Sequence, residues 1–287
     1  RPEISEQDIA QDHKKAVEWF TKAAEKDHVV SQYRLGHLYS DGKGVAEDFK
    51  LAANWFAKAA EQGHKDGQVS IGSMYYAGKG VAVDHKQAVK WYRRAAEQGD
   101  SVGQVNLGDM YLAGKGVAVN YKQAVKWFTK AAEQGHADGQ AYLGRMYYQG
   151  LEVVQDYKEA HRWSSKAAEQ GDASGQVILG VLYYVGQGVA QDNKQAIKWL
   201  TKAAEQGDVA GQLMLGEAYS TGDVVSQDYK LAVKWLSKAA EQGSDTGLGA
   251  LIEIAEKGNT QAQANLGVMY SMGRGVVRDF KTPVKGF

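Results

Sequence analysis

All seven tryptophans of this chain stand at one interval: Trp19, Trp55, Trp91, Trp127, Trp163, Trp199 and Trp235, each 36 residues after the last. A fixed period of this length marks stacked copies of one supersecondary unit, each burying its apolar face on its neighbours, in place of a single globular core. The 287 residues are therefore read as one elongated array.

One unit shows how the array is built. From Ala124, apolar residues fall at 124, 125, 127, 128, 131 and 132, the pattern of an amphipathic helix with a broad buried face. An Asp or Asn opens this first helix in every unit: Asp12, Asp48, Asp84, Asn120, Asp156, Asp192 and Asp228. Such a side chain caps the free amides of the first turn, and Gln87, Gln123, Glu159 and Gln195 three residues on are expected to complete a capping box. Gly63, Gly99, Gly135, Gly171, Gly207 and Gly243 end the helix in the left-handed conformation. A second helix follows, carrying a leucine-glycine pair such as Leu107-Gly108, whose glycine implies close approach of a neighbouring helix. Its closing loop reads G-K-G-V or similar, and each valine (Val45, Val81, Val117, Val153, Val189, Val225) is expected to plug the gap between units. The fold class that follows is all-α: a solenoid of helix-turn-helix repeats with a 36-residue period and no sheet.

The unit W-F-T-K-A-A-E-Q-G … L-G-x-M-Y-x-x-G-K-G-V resembles the Sel-one-like repeat (SLR) family of bacterial type, related to tetratricopeptide repeats. The motifs K-A-A-E-x-G, L-G-x-x-Y and G-x-G-V recur in register over nearly the whole chain. The resemblance implies a right-handed α-solenoid that acts as a non-catalytic adaptor or host-interaction protein, periplasmic or secreted. The alternative it implies is an immunity protein neutralising a secreted phospholipase-type toxin. The chain departs from the family where the second helix opens: Gly67, Gly103, Gly139, Gly175 and Gly211 replace the usual alanine, which survives at Ala262. It also lacks the cysteines of the stapled subgroup, so that subgroup's biology does not transfer.

The register breaks after Trp235. Ala255-Glu256-Lys257-Gly258 matches the end of a first helix, yet Asp245 begins as a second helix, so a single fused helix is expected from about Asp245 to Lys257. This divides the chain into a regular array, 1–243, and an irregular repeat and cap, 244–287. Truncation after Gly243 is expected to expose Trp235 and Leu236. Pro283 falls where other first helices have alanine, and the array ends near it. At the other end Ile9-Ala10-Gln11-Asp12 reads as the loop before a first helix. Trimmed upstream repeats and an irregular N-terminal cap both fit. The chain opens at Arg1 and not at methionine, which leaves a removed export signal open.

Composition narrows the function. Net charge is zero, so no global field draws the chain to nucleic acid or to an anionic membrane. There is no cysteine, hence no thiolate nucleophile or cysteine-ligated metal, and no apolar run long enough for a membrane span. The G-K-G-V loops lack the preceding strand and the G-K-[ST] ending of a phosphate-binding loop, and they read as turns. The seven histidines show no metal-ligand spacing, and His64 and His136 stand where Asp100, Asp172 and Asp208 start second helices. No catalytic residue, metal or cofactor is assigned. The expected partner is a protein bound to a monomer, with no nucleic acid.

Four features are candidates for the binding surface. Lysines and arginines at i, i+4, i+8 spacing, such as Lys122-Lys126-Lys130, line the first helices, either as a positive stripe or as a solvated face. Just before the tryptophans stand Asn54, Lys90, Lys126, Arg162, Lys198 and Lys234, with Glu159 three positions before Arg162; these are expected to line a concave groove formed by the first helices. Tyr76, Tyr148 and Tyr184, the second of paired tyrosines, vary between units and are candidate anchors. In the fifth unit His161 replaces an aliphatic residue and Ser164 replaces Phe or Leu, a functional irregularity or drift.

Overall fold

The computed structural model describes residues 6–273; Pro283 and the last glycine-valine loop lie outside them. Among the described residues there are fifteen helices and no strand. First helices are α1 (Glu6–Ala24), α3 (Phe49–Glu61), α5 (His85–Glu97), α7 (Tyr121–Glu133), α9 (Tyr157–Glu169), α11 (Asn193–Glu205) and α13 (Tyr229–Glu241). Second helices are α2 (Val29–Asp41), α4 (Lys65–Ala77), α6 (Ser101–Ala113), α8 (Ala137–Gln149), α10 (Ala173–Val185) and α12 (Val209–Thr221), followed by α14 (Asp245–Glu256) and α15 (Thr260–Ser271). The chain divides into two compact units: Arg1–Gly139 with Leu151–Val153, and Gln140–Gly150 with Val154–Phe287. Each is an α-solenoid of helix-turn-helix repeats, held by contacts between neighbouring helices along the chain.

Local chemistry sets the helix ends. Asp84 Oδ1 accepts from the amides of Lys86 (2.9 Å) and Gln87 (3.0 Å), and Asn120, Asp156, Asp192 and Asp228 cap their helices alike. The capping box is only half made. The Asp84 amide donates to the Tyr75 carbonyl at 2.9 Å, and those of Asn120, Asp156, Asp192 and Asp228 donate to Tyr111, Tyr147, Tyr183 and Tyr219. The loop therefore takes the donor that a capping box would have used. The first helix departs further: α1 starts at Glu6, so Asp12 and the residues read as a loop before it are helical. His28 and His64 cap second helices through Nδ1, as Asp100 and Asp172 do through carboxylates.

Packing explains the tryptophan period. Trp91 of α5 is buried among Ala52, Phe56, Ile71 and Met74 of the preceding hairpin, and Trp127 among Val89, Tyr92, Leu107 and Met110. Trp235 packs in the same way with Leu200, Ala204 and Leu215. Trp19 stands in the first helix, with no hairpin before it among the described residues, and is 68% exposed. The helical glycine beside the leucine meets the next first helix in the regular repeats, as at Gly108, where a Cβ would lie 2.6 Å from the Phe128 ring, but Gly267 in α15 meets nothing within 4 Å. The loop glycines are equally constrained, since a Cβ on Gly80 would lie 2.0 Å from the Phe49 carbonyl oxygen. The loop valines Val81 and Val117 are half-buried against the clusters of Trp91 and Trp127.

A polar spine runs beside this apolar one. Buried Gln104 donates to the Ala96 carbonyl at the end of α5 (3.3 Å) and accepts from Gln134 at the end of α7 (2.7 Å). Gln68, Gln176 and Gln212 make the same pair of bonds in their repeats, so one side chain ties three helices. Both the buried glutamine and its donor recur at the tryptophan interval, a signal that reading for apolar pattern passes over.

The register break resolves into α14. Ser244 caps its first turn on Gly247, and a Cβ on Gly247 would lie 3.0 Å from Ala239 Cβ, as in a second helix. Its other end behaves as a first helix, with Gly258 at φ 90° and Gln263 donating to the Ala255 carbonyl at 3.0 Å. Val233, Leu236, Leu251, Ile254, Leu266 and Met269 form one core with α15. Trp235 belongs to the cluster of the preceding hairpin, so α14 and α15 cover Val233 and Leu236 and do not bury Trp235.

Candidate protein-binding surface

The first helices present a ridge whose cations are engaged with their own tryptophans. Lys126 and Lys130 lie 5.4 and 4.8 Å from the Trp127 ring centroid, bracketing it from positions i−1 and i+3. Lys90 with Arg94, Arg162 with Lys166, Lys198 with Lys202, and Lys234 with Lys238 bracket Trp91, Trp163, Trp199 and Trp235 likewise. Such exposed cation–π contacts contribute roughly 0.5–1 kcal/mol each. Glu159 also turns inward: it pairs with Arg162 (3.1 Å) and accepts from Trp163 Nε1 (3.1 Å). Asn54 is exposed on α3. Within each unit these residues lie on the first helices, and all but Asn54 spend their polar groups on their own helix.

The clefts open elsewhere. Successive second helices α4 and α6 touch, and so do α12 and α14. In the first unit a 340 Å³ cleft lies between α4, α5 and α6, lined by Ser73, Tyr76, Tyr92, Asn106 and Asp109. At the same repeat position Phe20, Tyr33, Arg34, His37 and Asp41 line a 640 Å³ cleft between α1 and α2. In the second unit Tyr184, Ile197, Met214 and Glu217 line an 80 Å³ cleft between α10, α11 and α12.

The second-helix positions flanking the leucine-glycine pair line this face, and their identities change from copy to copy. In the first unit they are Arg34 and His37, Ser70 and Ser73, Asn106 and Asp109. In the second they are Tyr142 and Arg145, Ile178 and Val181, Met214 and Glu217. None is buried. On the first helices the position before tryptophan also varies (Glu18, Asn54, Lys90, Lys126, Arg162, Lys198, Lys234), whereas the position three residues after it is Lys or Arg in every copy. Variation at the two second-helix positions is the wider of the two, spanning charged, polar, aromatic and aliphatic residues.

The tyrosine anchors differ among themselves. Tyr76 is half-buried, under Lys115, whose Nζ donates to its hydroxyl at 2.5 Å and lies 4.7 Å from its ring centroid. Tyr148 meets Tyr157 edge-on at 5.8 Å. Tyr184 is 39% exposed. In the fifth unit His161 meets Tyr183 edge-on at 5.5 Å, and burial pulls its pKa down. His161 Nε2 and the fully buried Ser164 Oγ have no hydrogen-bond partner. Among the described residues no three His, Cys, Asp or Glu side chains converge as metal ligands do, and no helix is long and apolar enough to cross a membrane.

An unvarying packing seam beneath a face that varies from copy to copy defines a helical repeat scaffold. The chain belongs to the Sel1 repeat family, whose model matches residues 5–28, 29–64, 65–100, 101–136, 137–172, 173–208, 209–244 and 260–282 and passes over α14. Sel1 repeat proteins are protein-interaction scaffolds. A Sel1 repeat protein from Oxalobacter formigenes is similar: 31% identical, TM-score 0.75, covering 80% of this chain and 92% of that one. A protective antigen of uropathogenic Escherichia coli with an SLR fold is 37% identical, TM-score 0.69, over 89% of this chain, which spans 59% of that protein's length. An immunity protein from Pseudomonas aeruginosa has the same fold at 18% identity, TM-score 0.50, covering 76% and 82%. No curated protein matches the chain.

Proposed function

We propose that this protein is a non-catalytic scaffold that binds a protein partner through the solvent-facing positions of its second helices. One observation carries this: the residues flanking the leucine-glycine pair vary from copy to copy and, at Ser73, Asn106, Asp109, Met214 and Glu217, line clefts, while the residue three after each tryptophan is Lys or Arg in every copy and lies over its ring. Recognition needs positions free to differ, and packing needs positions that do not. The first-helix set Asn54, Lys90, Lys126, Arg162, Lys198 and Lys234 is the competing surface, supported by its exposure.

Variants test the choice. Charge reversals on the second-helix face (Asp109→Lys, Val181→Glu) are compared with reversals on the ridge (Lys126→Glu, Lys198→Glu) in pull-downs from the native source, beside a broad hydrolase screen. Loss of the retained protein with the first pair alone supports this reading. Loss with the second pair alone moves the partner to the ridge, and turnover with no retained protein overturns the scaffold. The second reading takes its role from the Pseudomonas immunity protein: a tight one-to-one complex with one secreted, phospholipase-type toxin, to which a toxin gene beside the coding sequence would point.

A further inference from the structure

The clefts of the third and sixth second helices are lined by corresponding residues, and the tyrosine of one carries a lysine that the other lacks. Tyr76, Asp109 and Lys115 of the first unit correspond, three repeats on, to Tyr184, Glu217 and Asp223 of the second. In the first unit Lys115 lies across the Tyr76 ring and donates to its hydroxyl. The Tyr76 hydroxyl, and more weakly Asp109, push the Lys115 pKa up. A cation and an aromatic ring thus meet within one chain, and Asp109 lines the same cleft as that ring.

In the second unit the carboxylate and the aromatic wall remain, but the lysine position is aspartate. Glu217 and Asp223 both line the cleft between α10, α11 and α12, and neither has an ion pair among the described residues. Its remaining wall is apolar, from Ile197, Leu200 and Met214, where the first-unit cleft has Tyr92 and Asn106. Tyr184 is 39% exposed. An apolar slot with two carboxylates at its rim suits a long aliphatic stem with an ammonium at its end.

We propose that this cleft is an anchor pocket for a lysine side chain of the protein partner, which takes the place that Lys115 holds against Tyr76. The stem lies on Met214, Ile197 and Tyr184, and the ammonium faces Glu217 and Asp223. The pocket rests on the scaffold reading above and supplies one specific contact within it.

The test is an NMR titration of the full chain with Nα-acetyl-lysine N-methylamide at low salt, read on the Met214 methyl and the Tyr184 ring. Saturable shifts confined to this cleft are expected. The neutral Nε-acetylated analogue, or the Glu217→Gln/Asp223→Asn variant, is expected to weaken binding at least about tenfold. Asp223→Lys restores the residue of the first-unit cleft and is expected to abolish the shifts, since the pocket then fills itself. Circular dichroism and unchanged resonances in α1–α7 confirm that each variant is folded. Equal binding of the neutral analogue, survival of the shifts in Asp223→Lys, or shifts spread over the whole chain would overturn the pocket. Any of these leaves the comparison of second-helix and ridge variants untouched, so failure of the pocket and failure of the scaffold reading are told apart.

Discussion

Ser164 occupies a position that Phe56, Tyr92, Phe128, Leu200 and Leu236 fill in other repeats, and replacing it with leucine should stabilise the protein. Ser164 is fully buried and its hydroxyl has no hydrogen-bond partner. The helices stand slightly closer here than at Leu200, since the Ser164 backbone nitrogen lies 3.1 Å from an ideal Cβ on Gly144 and no Leu200 backbone atom lies within 3.3 Å of one on Gly180. The Ala160 carbonyl oxygen lies 3.4 Å from an ideal Cβ on Gly144, and the Ala196 oxygen lies 3.3 Å from one on Gly180, where Leu200 is present. Leucine is therefore expected to fit once the helices part by a few tenths of an ångström. Relief of a buried unpaired hydroxyl is worth roughly 1–3 kcal/mol. The added carbons contribute roughly 2 kcal/mol at about 0.8 per methylene. Fixing the leucine rotamer removes about 0.5–1 kcal/mol. Ser164→Leu should thus gain about 3 kcal/mol, a rise of roughly 6–12 °C in Tm for a chain of this size. Because coupling in a repeat array is local, native-state hydrogen exchange should slow mainly in α8, α9 and α10. Ser165→Leu, one position on and half-buried, is the control and should gain little. An unchanged or lower Tm for Ser164→Leu would refute the argument, showing that the hydroxyl is satisfied or the space closed.

Three further outcomes follow from the same geometry. His161 is held neutral by burial, with a folded pKa below its ordinary 6.5, so the unfolded chain binds more protons in that window; stability is full above pH 6.5 and falls as pH drops below it. His161→Val should flatten that acid slope in urea titrations from pH 7 to 5, leaving the part due to His37, which burial shifts in the same direction. Gln104→Ala strips partners from both the Ala96 carbonyl and Gln134 and should cost about 2–3 kcal/mol in denaturant unfolding, whereas Gln134→Ala, at the exposed end of the relay, should cost about 1. Truncation after Gly243 removes α14 and α15, uncovering Val233 and Leu236 and promoting self-association in light scattering, while Trp235 fluorescence keeps its buried maximum; a monomeric product of unchanged Tm would mean that 244–287 is not a cap.

Features set by backbone chemistry were legible from residue identity. Asp84 and Asn120 cap helices because a short acceptor at that position has few alternatives, and Gly99 and Gly135 end them at φ 85° and 87° because the left-handed turn excludes most side chains. Trp127 repeats because each hairpin offers the next one the same hole. What depended on competition between partners was not legible. Gln87 suits a capping box, but the Asp84 amide was already taken by the Tyr75 carbonyl, a choice made by loop closure. Lys126 and Lys130 suit a solvated stripe, and only the rotamers show them bracketing Trp127. The second-helix face is hard to read in the sequence because variation between copies carries no motif: Asp109 and Val181 look unremarkable until they are aligned as one position.

The central claim is that the partner contacts the second helices and not the tryptophan-lysine ridge. Site-specific photo-crosslinking tests it most directly, with benzoylphenylalanine placed in turn at Val181 and at Lys198 of the full chain and irradiated with the native extract. Both positions lie in α10 and α11 of the same unit, so they sample the two faces at one level of the array. The account predicts a single defined crosslinked protein from position 181 and none from 198. The same protein captured from 198 and not from 181 would contradict it.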